Sequence, residues 1–402
     1  MSTQTRIYAG GALAFGKQGA IDSLINSDYT AIIVWSVHVT PTGTLILNNT
    51  QIVSDGVYHE AETMNLPTRL AKLHKAGIEI IFSVGAGGTS DFTNIATLLN
   101  GKVVGPGNPL YDNFAALKKA MVDAGGDINA IDFDNEDNLN AEVMTNFGST
   151  LAAIGYDGVT FCPYGSMYTW QSTYSKLIKA QGADFVKAFH LQCYSGGVGQ
   201  NPNEWGKMIA GESGSALLIP GLATNQADPG PWWNGRTDSR GGSVVQTDNV
   251  AMYGEGYWSG ELRRGNYASA DDAMKDVKGG ETFFFYCSSY MDLGPGKVFQ
   301  AGDAVFFGGK PWWGSAPQAT GYSLSGGCSN IYNPYSTGGA CPSDLQTQYA
   351  TWKKDPYAPQ GGFIWLYDSI VNCLLSDCCG EGKEDTAQIT RDYAQAIIKG
   401  LS

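Results

Sequence analysis

The segment INAIDFDNED, residues 128–137, places four acidic side chains in six positions, Asp132, Asp134, Glu136 and Asp137, directly after an apolar start. The first three recur at every second position. On a β-strand alternate residues share a face, so Asp132, Asp134 and Glu136 point one way while Ile131 and Phe133 point the other. Carboxylates stacked a strand repeat apart cannot all ionise cheaply in a low dielectric, and like charge raises the pKa of at least one. A carboxylic acid that keeps its proton near neutral pH is what a general acid requires. Two plainer readings compete. DFDNEDN opens like a calcium loop, but its sixth position is Asp137 rather than Gly and its twelfth is Val143 rather than Glu. A solvated acidic turn accounts for Glu136, Asp137 and Asn138 but not for Asp132 and Asp134 inside an apolar run.

The row needs a strand to carry it, and the chain supplies a series of them. Short apolar segments at 6–15, 29–39, 78–84, 128–136, 158–163, 185–194, 216–222 and 361–370 read as eight strands. Helical patterns separate them, for example LPTRLAKLHKAG, with Leu66, Leu70 and Leu73 at helical spacing and Gly77 as its stop. Eight strand–helix units predict an α/β fold, a parallel (β/α)8 TIM barrel. An open doubly wound sheet is the runner-up, but YAGGALAFG after the first strand fits no GxGxxG. The rhythm breaks between the seventh strand and its helix, where residues 223–340 are rich in Gly, Tyr, Trp and short apolar runs. The expected division is therefore a barrel built from 1–222 and 341–402, with a β-rich insertion at 223–340. In a barrel the carboxylate row faces the interior and climbs towards the C-terminal end of the fourth strand, where barrel enzymes place their chemistry.

The strand motifs resemble those of glycoside hydrolase family 18, the chitinases and endo-β-N-acetylglucosaminidases on (β/α)8 barrels. NAIDFDNE is similar to the family pattern D-x-x-D-x-D-x-E, with Asn129, Asp132, Asp134 and Glu136 at its four fixed positions. SVGAGG (83–88) ends the third strand in an S-x-G-G-like manner, LQCYSGG on the sixth is similar to Q-x-Y, and QGGFIW on the eighth is similar to G-G-x-M-x-W. The resemblance covers most of the chain outside the insertion. It implies a retaining glycosidase that needs no carboxylate nucleophile, because the N-acetyl oxygen of the substrate attacks the anomeric carbon. Glu136 would protonate the leaving oxygen and then serve as base towards water. Asp134 would orient the acetamido N–H, and Asp132 behind it would share a proton. Tyr194 would bond the acetamido carbonyl beside Gln192, and Trp365 would floor the pocket. Chitin or chito-oligosaccharides are the implied substrates, N-glycan cores the alternative, and a carbohydrate-binding lectin on a retired barrel the alternative of another class.

The sequence departs from the pattern at Asn129, where the family has Asp; an amide cannot share a proton with Asp132. Asn135 is polar where an apolar or aromatic residue is expected. The insertion carries Trp232, Trp233, Trp258, Trp312 and Trp313. Trp232 and Trp233 are candidates for a substrate-binding wall, or else for the core of a small β-module. His38 and His190 read as satisfied interior polar groups.

Composition narrows the partners. The net charge is −13, which repels nucleic acid and anionic membrane surfaces and is compatible with a neutral glycan. No apolar run approaches the length of a membrane span. No basic start followed by an apolar core is present, so no signal peptide is visible. Low charge with abundant Gly, Tyr and Trp favours an extracellular chain with its leader removed over a cytoplasmic one. Of the eight Cys, Cys162 and Cys193 lie in apolar strands and read as buried thiols, while Cys328 with Cys341, and the cluster Cys373, Cys378 and Cys379, are candidates for disulfides. No metal and no cofactor are expected: there is no HExxH, no second ligand pair at zinc-finger spacing, and only four His in the chain. There is also no G-x-S-x-G nucleophile elbow.

Overall fold

A computed structural model of the chain describes residues 2–224 apart from 18, 61–64, 195–196 and 198–199, then 341–371 and 386–402, with shorter stretches between 263 and 308. In chain order, β1 (Gln4–Ala9) and β2 (Ala31–Val39) precede a small antiparallel excursion of β3 (Leu45–Leu47), β4 (Thr50–Ser54) and β5 (Val57–Tyr58). The parallel strands resume with β6 (Glu79–Val84), β7 (Ala130–Phe133), β8 (Val159–Phe161), β9 (Val186–Phe189), β10 (Leu217–Leu218) and β11 (Gly221–Ala223). The strands β12 (Arg263–Asn266), β13 (Glu281–Phe285), β14 (Tyr290–Asp292), β15 (Val298–Phe299) and β16 (Asp303–Gly308) follow, and β17 (Gly361–Trp365) ends the series.

The hydrogen-bonded order is β10-β9-β8-β7-β6-β2-β1-β17-β11. Its two ends are halves of one strand, parted only by Ile219 and Pro220. Gly221 pairs with Phe363 of β17 on one side and bridges to Gln192, beyond β9, on the other. Leu191 N–H donates to Ile219 O (3.1 Å) and Gly221 N–H to Leu191 O (2.8 Å) across the same seam. The sheet is thus closed, a (β/α)8 barrel with β10 and β11 as its seventh position. Gly221 suits this seam because a Cβ there would fall 2.0 Å from the Phe363 ring.

The two faces of β7 divide as the alternation predicts. Phe133 points outward and stacks on Phe147 of the helix Ala141–Ile154, with centroids 5.1 Å apart, while Phe92 of the helix Asp91–Leu99 meets it at 5.6 Å. Inside, Tyr8, Ile33, Ile81, Ala130, Cys162, Ala188, Ile219 and Phe363 form one buried cluster. The larger aliphatic and aromatic side chains among them, such as Ile33, Ile81, Ile219 and Phe363, each contribute about 1.5–3 kcal/mol when fully buried, and together they make the barrel interior a packed core rather than a channel.

Several strands are shorter than the sequence pattern suggests. After Ala9 the chain turns into the helix Gly11–Ala14, and after Trp365 into the helix Tyr367–Val371. The antiparallel excursion β3–β5 was not anticipated; Asn48 and Asn49 at φ 47° and 66° make its first turn. A second compact unit comprises Asn225–Gly339 and Leu374–Gly380. Its described strands are antiparallel, β12-β16-β13 in one sheet and β14-β15 in another. Trp232, Trp233, Trp258, Trp312 and Trp313 lie outside the described residues, as do Cys328, Cys373, Cys378 and Cys379. Cys341 is disulfide-bonded, and Cys162 and Cys193 are buried free thiols.

Candidate active site

Asp132 sits on β7, wholly buried, with four donors around its carboxylate. Tyr8 OH and Ser83 Oγ each donate to Oδ2 at 2.9 Å, while Thr160 Oγ1 (2.6 Å) and His190 Nδ1 (2.8 Å) meet Oδ1. Burial alone would raise its pKa, but the His190 contact and the hydroxyl hydrogen bonds outweigh it and hold the carboxyl below its ordinary range. Asn129 is not one of its partners. The Asn129 Oδ1 instead accepts from Ile80 N–H (2.8 Å), pinning the start of β7 to β6.

Asp134 lies one residue past the end of β7, still laddered to β6 by its N–H to Val84 O (2.9 Å). It is 4% exposed. Trp35 Nε1 donates to its Oδ2 at 3.1 Å, and Gln192 Nε2 to its Oδ1 at 3.2 Å. Burial first, then the neighbouring Glu136 and Asp132, push this carboxyl well up from its ordinary value, which favours its protonated form. Glu136 is half-buried, and the same Gln192 nitrogen reaches its Oε1 at 3.1 Å. One amide therefore ties Asp134 and Glu136 together, and Gln192 is itself anchored by its contact with Cys162 O (3.2 Å).

Tyr194 is 4% exposed, and its ring stacks on Trp365 with centroids 5.8 Å apart and planes 20° from parallel. Trp35 meets Trp365 edge-on at 4.7 Å. Burial chiefly, then nearby Cys162 and the carboxyls, push the Tyr194 phenol well up, so it remains a neutral hydrogen-bond donor. The structure thus brings together Asp132, Asp134, Glu136, Gln192, Tyr194 and Trp365 at the C-terminal ends of β7, β9 and β17. Trp232 and Trp233 lie outside the described residues.

Sequence reasoning missed Trp35, Tyr8, Thr160 and Arg6. Their signal was strand phase, since Tyr8 and Arg6, like Trp35 and Ile33, share the interior face of their strands. His190 is a satisfied interior group, as its strand position suggested, held between Asp132 and Arg6 Nη1 (2.7 Å). His38 is similarly engaged: its Nδ1 lies 2.9 Å from Asp91 Oδ2 and its Nε2 lies 3.1 Å from Ser36 Oγ. Ser36 is only 2% exposed, which denies it the access a nucleophile needs. This chain serves to tie the end of β2 to the helix Asp91–Leu99. Among the described residues no group of three or more His, Cys, Asp or Glu is placed to hold a metal ion, and no helix is long and apolar enough to cross a membrane.

No family model and no curated protein matches the sequence. Solved structures similar to this chain include chitinases of two bacteria. A glycoside hydrolase family 18 chitinase from Pseudoalteromonas aurantia aligns over 63% of this chain and 87% of its own, at 15% identity and a TM-score of 0.39. A chitinase from Bacteroides thetaiotaomicron aligns over 99% of this chain and 97% of its own, at 11% identity and a TM-score of 0.47. The spore cortex-lytic enzyme SleL of Bacillus cereus covers 100% of this chain and 75% of its own, at 11% identity and a TM-score of 0.47.

Proposed function

We propose that the chain is a retaining, substrate-assisted glycosidase of the family 18 type that hydrolyses β-1,4 bonds beside N-acetylglucosamine, with chitin or its oligomers as substrate. The observation that carries this reading is the Asp134–Gln192–Glu136 contact, a buried carboxyl whose pKa is pushed up and a half-buried carboxyl on one amide nitrogen at the end of a barrel strand. In that arrangement Asp134 supplies a proton to Glu136 as the substrate enters. Glu136 gives it to the glycosidic oxygen while the bond from that oxygen to the anomeric carbon breaks. The acetamido oxygen of the same sugar forms the new bond, giving an oxazolinium ion. The Asp134 carboxylate accepts the acetamido N–H, and the neutral Tyr194 phenol donates to the acetamido oxygen. Water then attacks the anomeric carbon as the bond from that carbon to the acetamido oxygen breaks, restoring the N-acetyl group, and the water gives its proton to Glu136. The stacked Tyr194 and Trp365 offer an apolar floor for the sugar ring.

The test is to incubate the protein and a Glu136→Gln variant with chitohexaose and a high-mannose glycopeptide and to read products by mass spectrometry. Shorter chito-oligomers from wild type only, with the variant slower by about 10²-fold or more, are expected for loss of the acid. Release of a glycan that leaves one N-acetylglucosamine on the peptide would move the substrate to N-glycan cores. Retention of either ligand without cleavage would replace catalysis with a lectin role.

A further inference from the structure

We infer that Arg6 and His190 set the protonation of the carboxylate row. Arg6 holds the His190 imidazole neutral with its hydrogen on Nδ1, and His190 thereby bars a proton from Asp132 Oδ1 and favours the Asp132 anion, leaving the proton of the row to Asp134 and Glu136. The inference rests on the glycosidase reading for its catalytic consequence, but its chemistry is read from the contacts alone.

A guanidinium carries only N–H groups and no acceptor. Arg6 Nη1 lies 2.7 Å from His190 Nε2, so that nitrogen must present its lone pair. An imidazolium, or the other tautomer, would set two N–H groups against each other at that distance in a site where Arg6 is 3% exposed and His190 is 0% exposed. The single hydrogen of the ring is then on Nδ1, where it meets Asp132 Oδ1 at 2.8 Å. The other donors to Asp132 are hydroxyls of Tyr8, Ser83 and Thr160, each able to turn and accept from a protonated carboxyl. The His190 Nδ1–H cannot turn while Arg6 occupies Nε2. It is therefore the one fixed donor that makes a proton on Asp132 Oδ1 unfavourable.

The surroundings of His190 leave Arg6 and Asp132 in control. From β1 come Arg6 and the Tyr8 ring, edge-on at 6.1 Å; from β7 comes Asp132; from β17 comes only the Phe363 ring at 5.7 Å. Glu79 of β6 stands beyond Arg6, 3.9 Å from Nη2, with its side chain half in solvent. Arg6 Nε has no partner among the described residues, so the closest contact of this buried cation is the imidazole rather than an acid. The directions agree: burial first, countered by Asp132 and aided by Arg6, lowers the His190 pKa. Asp132 in turn contributes to raising Asp134.

Nitrogen-15 NMR of histidine-labelled full-length protein tests this directly, because the chain has only four His. Replacing His38, His59 and His74 one at a time assigns the remaining signal to His190. A bare Nε2 and a protonated Nδ1, unchanged from about pH 5 to about pH 9, are expected where an unperturbed imidazole would titrate. An imidazolium at neutral pH, or the hydrogen on Nε2, would overturn the inference. Arg6→Met should make His190 titrate and lower kcat for chitohexaose about tenfold, the equivalent of one pKa unit in the row, with KM unchanged. Arg6→Lys, which restores one donor, should recover most of both effects. A merely structural Arg6 would lower thermal stability in both variants while His190 stayed silent to pH. If wild type cleaves neither chito-oligomer nor glycopeptide yet His190 shows the expected signature, the glycosidase reading falls and the protonation scheme stands. If wild type cleaves and His190 titrates normally, the reverse holds.

Discussion

Asp134 is the carboxyl of the row pushed up by its surroundings, by burial first and then by Glu136 and Asp132. Its cost appears in folding. In an unfolded chain an Asp titrates at about 3.9. Because the folded value is higher, the native state binds more protons than the unfolded state, and the stability this group contributes is lost as pH rises from the unfolded value through the folded one. Asp134→Asn removes that dependence. The variant should gain on wild type as pH rises above about 4, by about 1.4 kcal/mol for each unit by which the native value is raised. Urea unfolding of both proteins at several pH values measures the gap, and a gap that does not change with pH would remove the claim that Asp134 is held protonated. Residue-scale legibility in the sequence followed strand phase. Asp132 and Asp134 could be placed inside because they alternate with Ile131 and Phe133. Asn129 is out of phase with Asp132, so its amide bonds the β6 backbone rather than the carboxylate row. Phase alone could have shown this, whereas matching the family pattern suggested the opposite. The His190–Arg6 contact joins β9 to β1, and nothing local in either strand signals it.

At the scale of elements, the segment that carries Glu136 is locked from both sides. Asn135, fully buried, closes a turn by donating to Asn138 O (2.7 Å) and accepting from Asn138 N–H (3.1 Å). That explains a polar residue where an apolar one was expected. Asp137 accepts from Phe92 N–H (3.1 Å) and Thr93 N–H (2.8 Å), capping the helix Asp91–Leu99. Gly85, at φ 102°, passes under the strand end where a Cβ would fall 2.3 Å from Asp134 O. Asp137→Ala should cost about 1 kcal/mol as a lost cap and should also lower kcat several-fold by freeing Glu136. Asn108→Ala removes the comparable cap of the helix Pro109–Asp123 away from the row. Thermal unfolding and chitohexaose kinetics of the pair decide the matter: equal stability losses with equal kcat would show that Asp137 only caps. The helices most legible in sequence had sustained apolar spacing and clear stops, such as Leu66–Lys75 before Gly77. The excursion β3–β5 was not, because its strands are two to five residues long and its alternation is too brief to stand out. Its turn was nevertheless written in the sequence as Asn48-Asn49, both in the left-handed region that Asn tolerates.

At the scale of the whole molecule, the barrel accounts for the row of carboxylates without the insertion, since every hydrogen bond to Asp132, Asp134 and Glu136 described above comes from barrel strands or the segments that directly follow them. The insertion therefore has a separate task to explain. It joins a chain of net charge −13 whose proposed substrate is a neutral polymer, so long-range charge gives no attraction and retention must come from contact. Indole faces stack on the apolar faces of sugar rings, and Trp232 and Trp233 provide two adjacent in sequence. We propose that they hold polymer. Each Trp→Ala change should weaken retention on insoluble chitin by about two- to tenfold, the range expected for losing one aromatic stack, while hydrolysis of chitohexaose stays at the wild-type rate. Sedimentation binding on chitin and oligomer kinetics, measured side by side, separate this from the structural alternative. Were the two Trp the core of a small β-module, their replacement would lower the unfolding temperature, and any loss of retention would follow the loss of fold rather than the number of indoles removed.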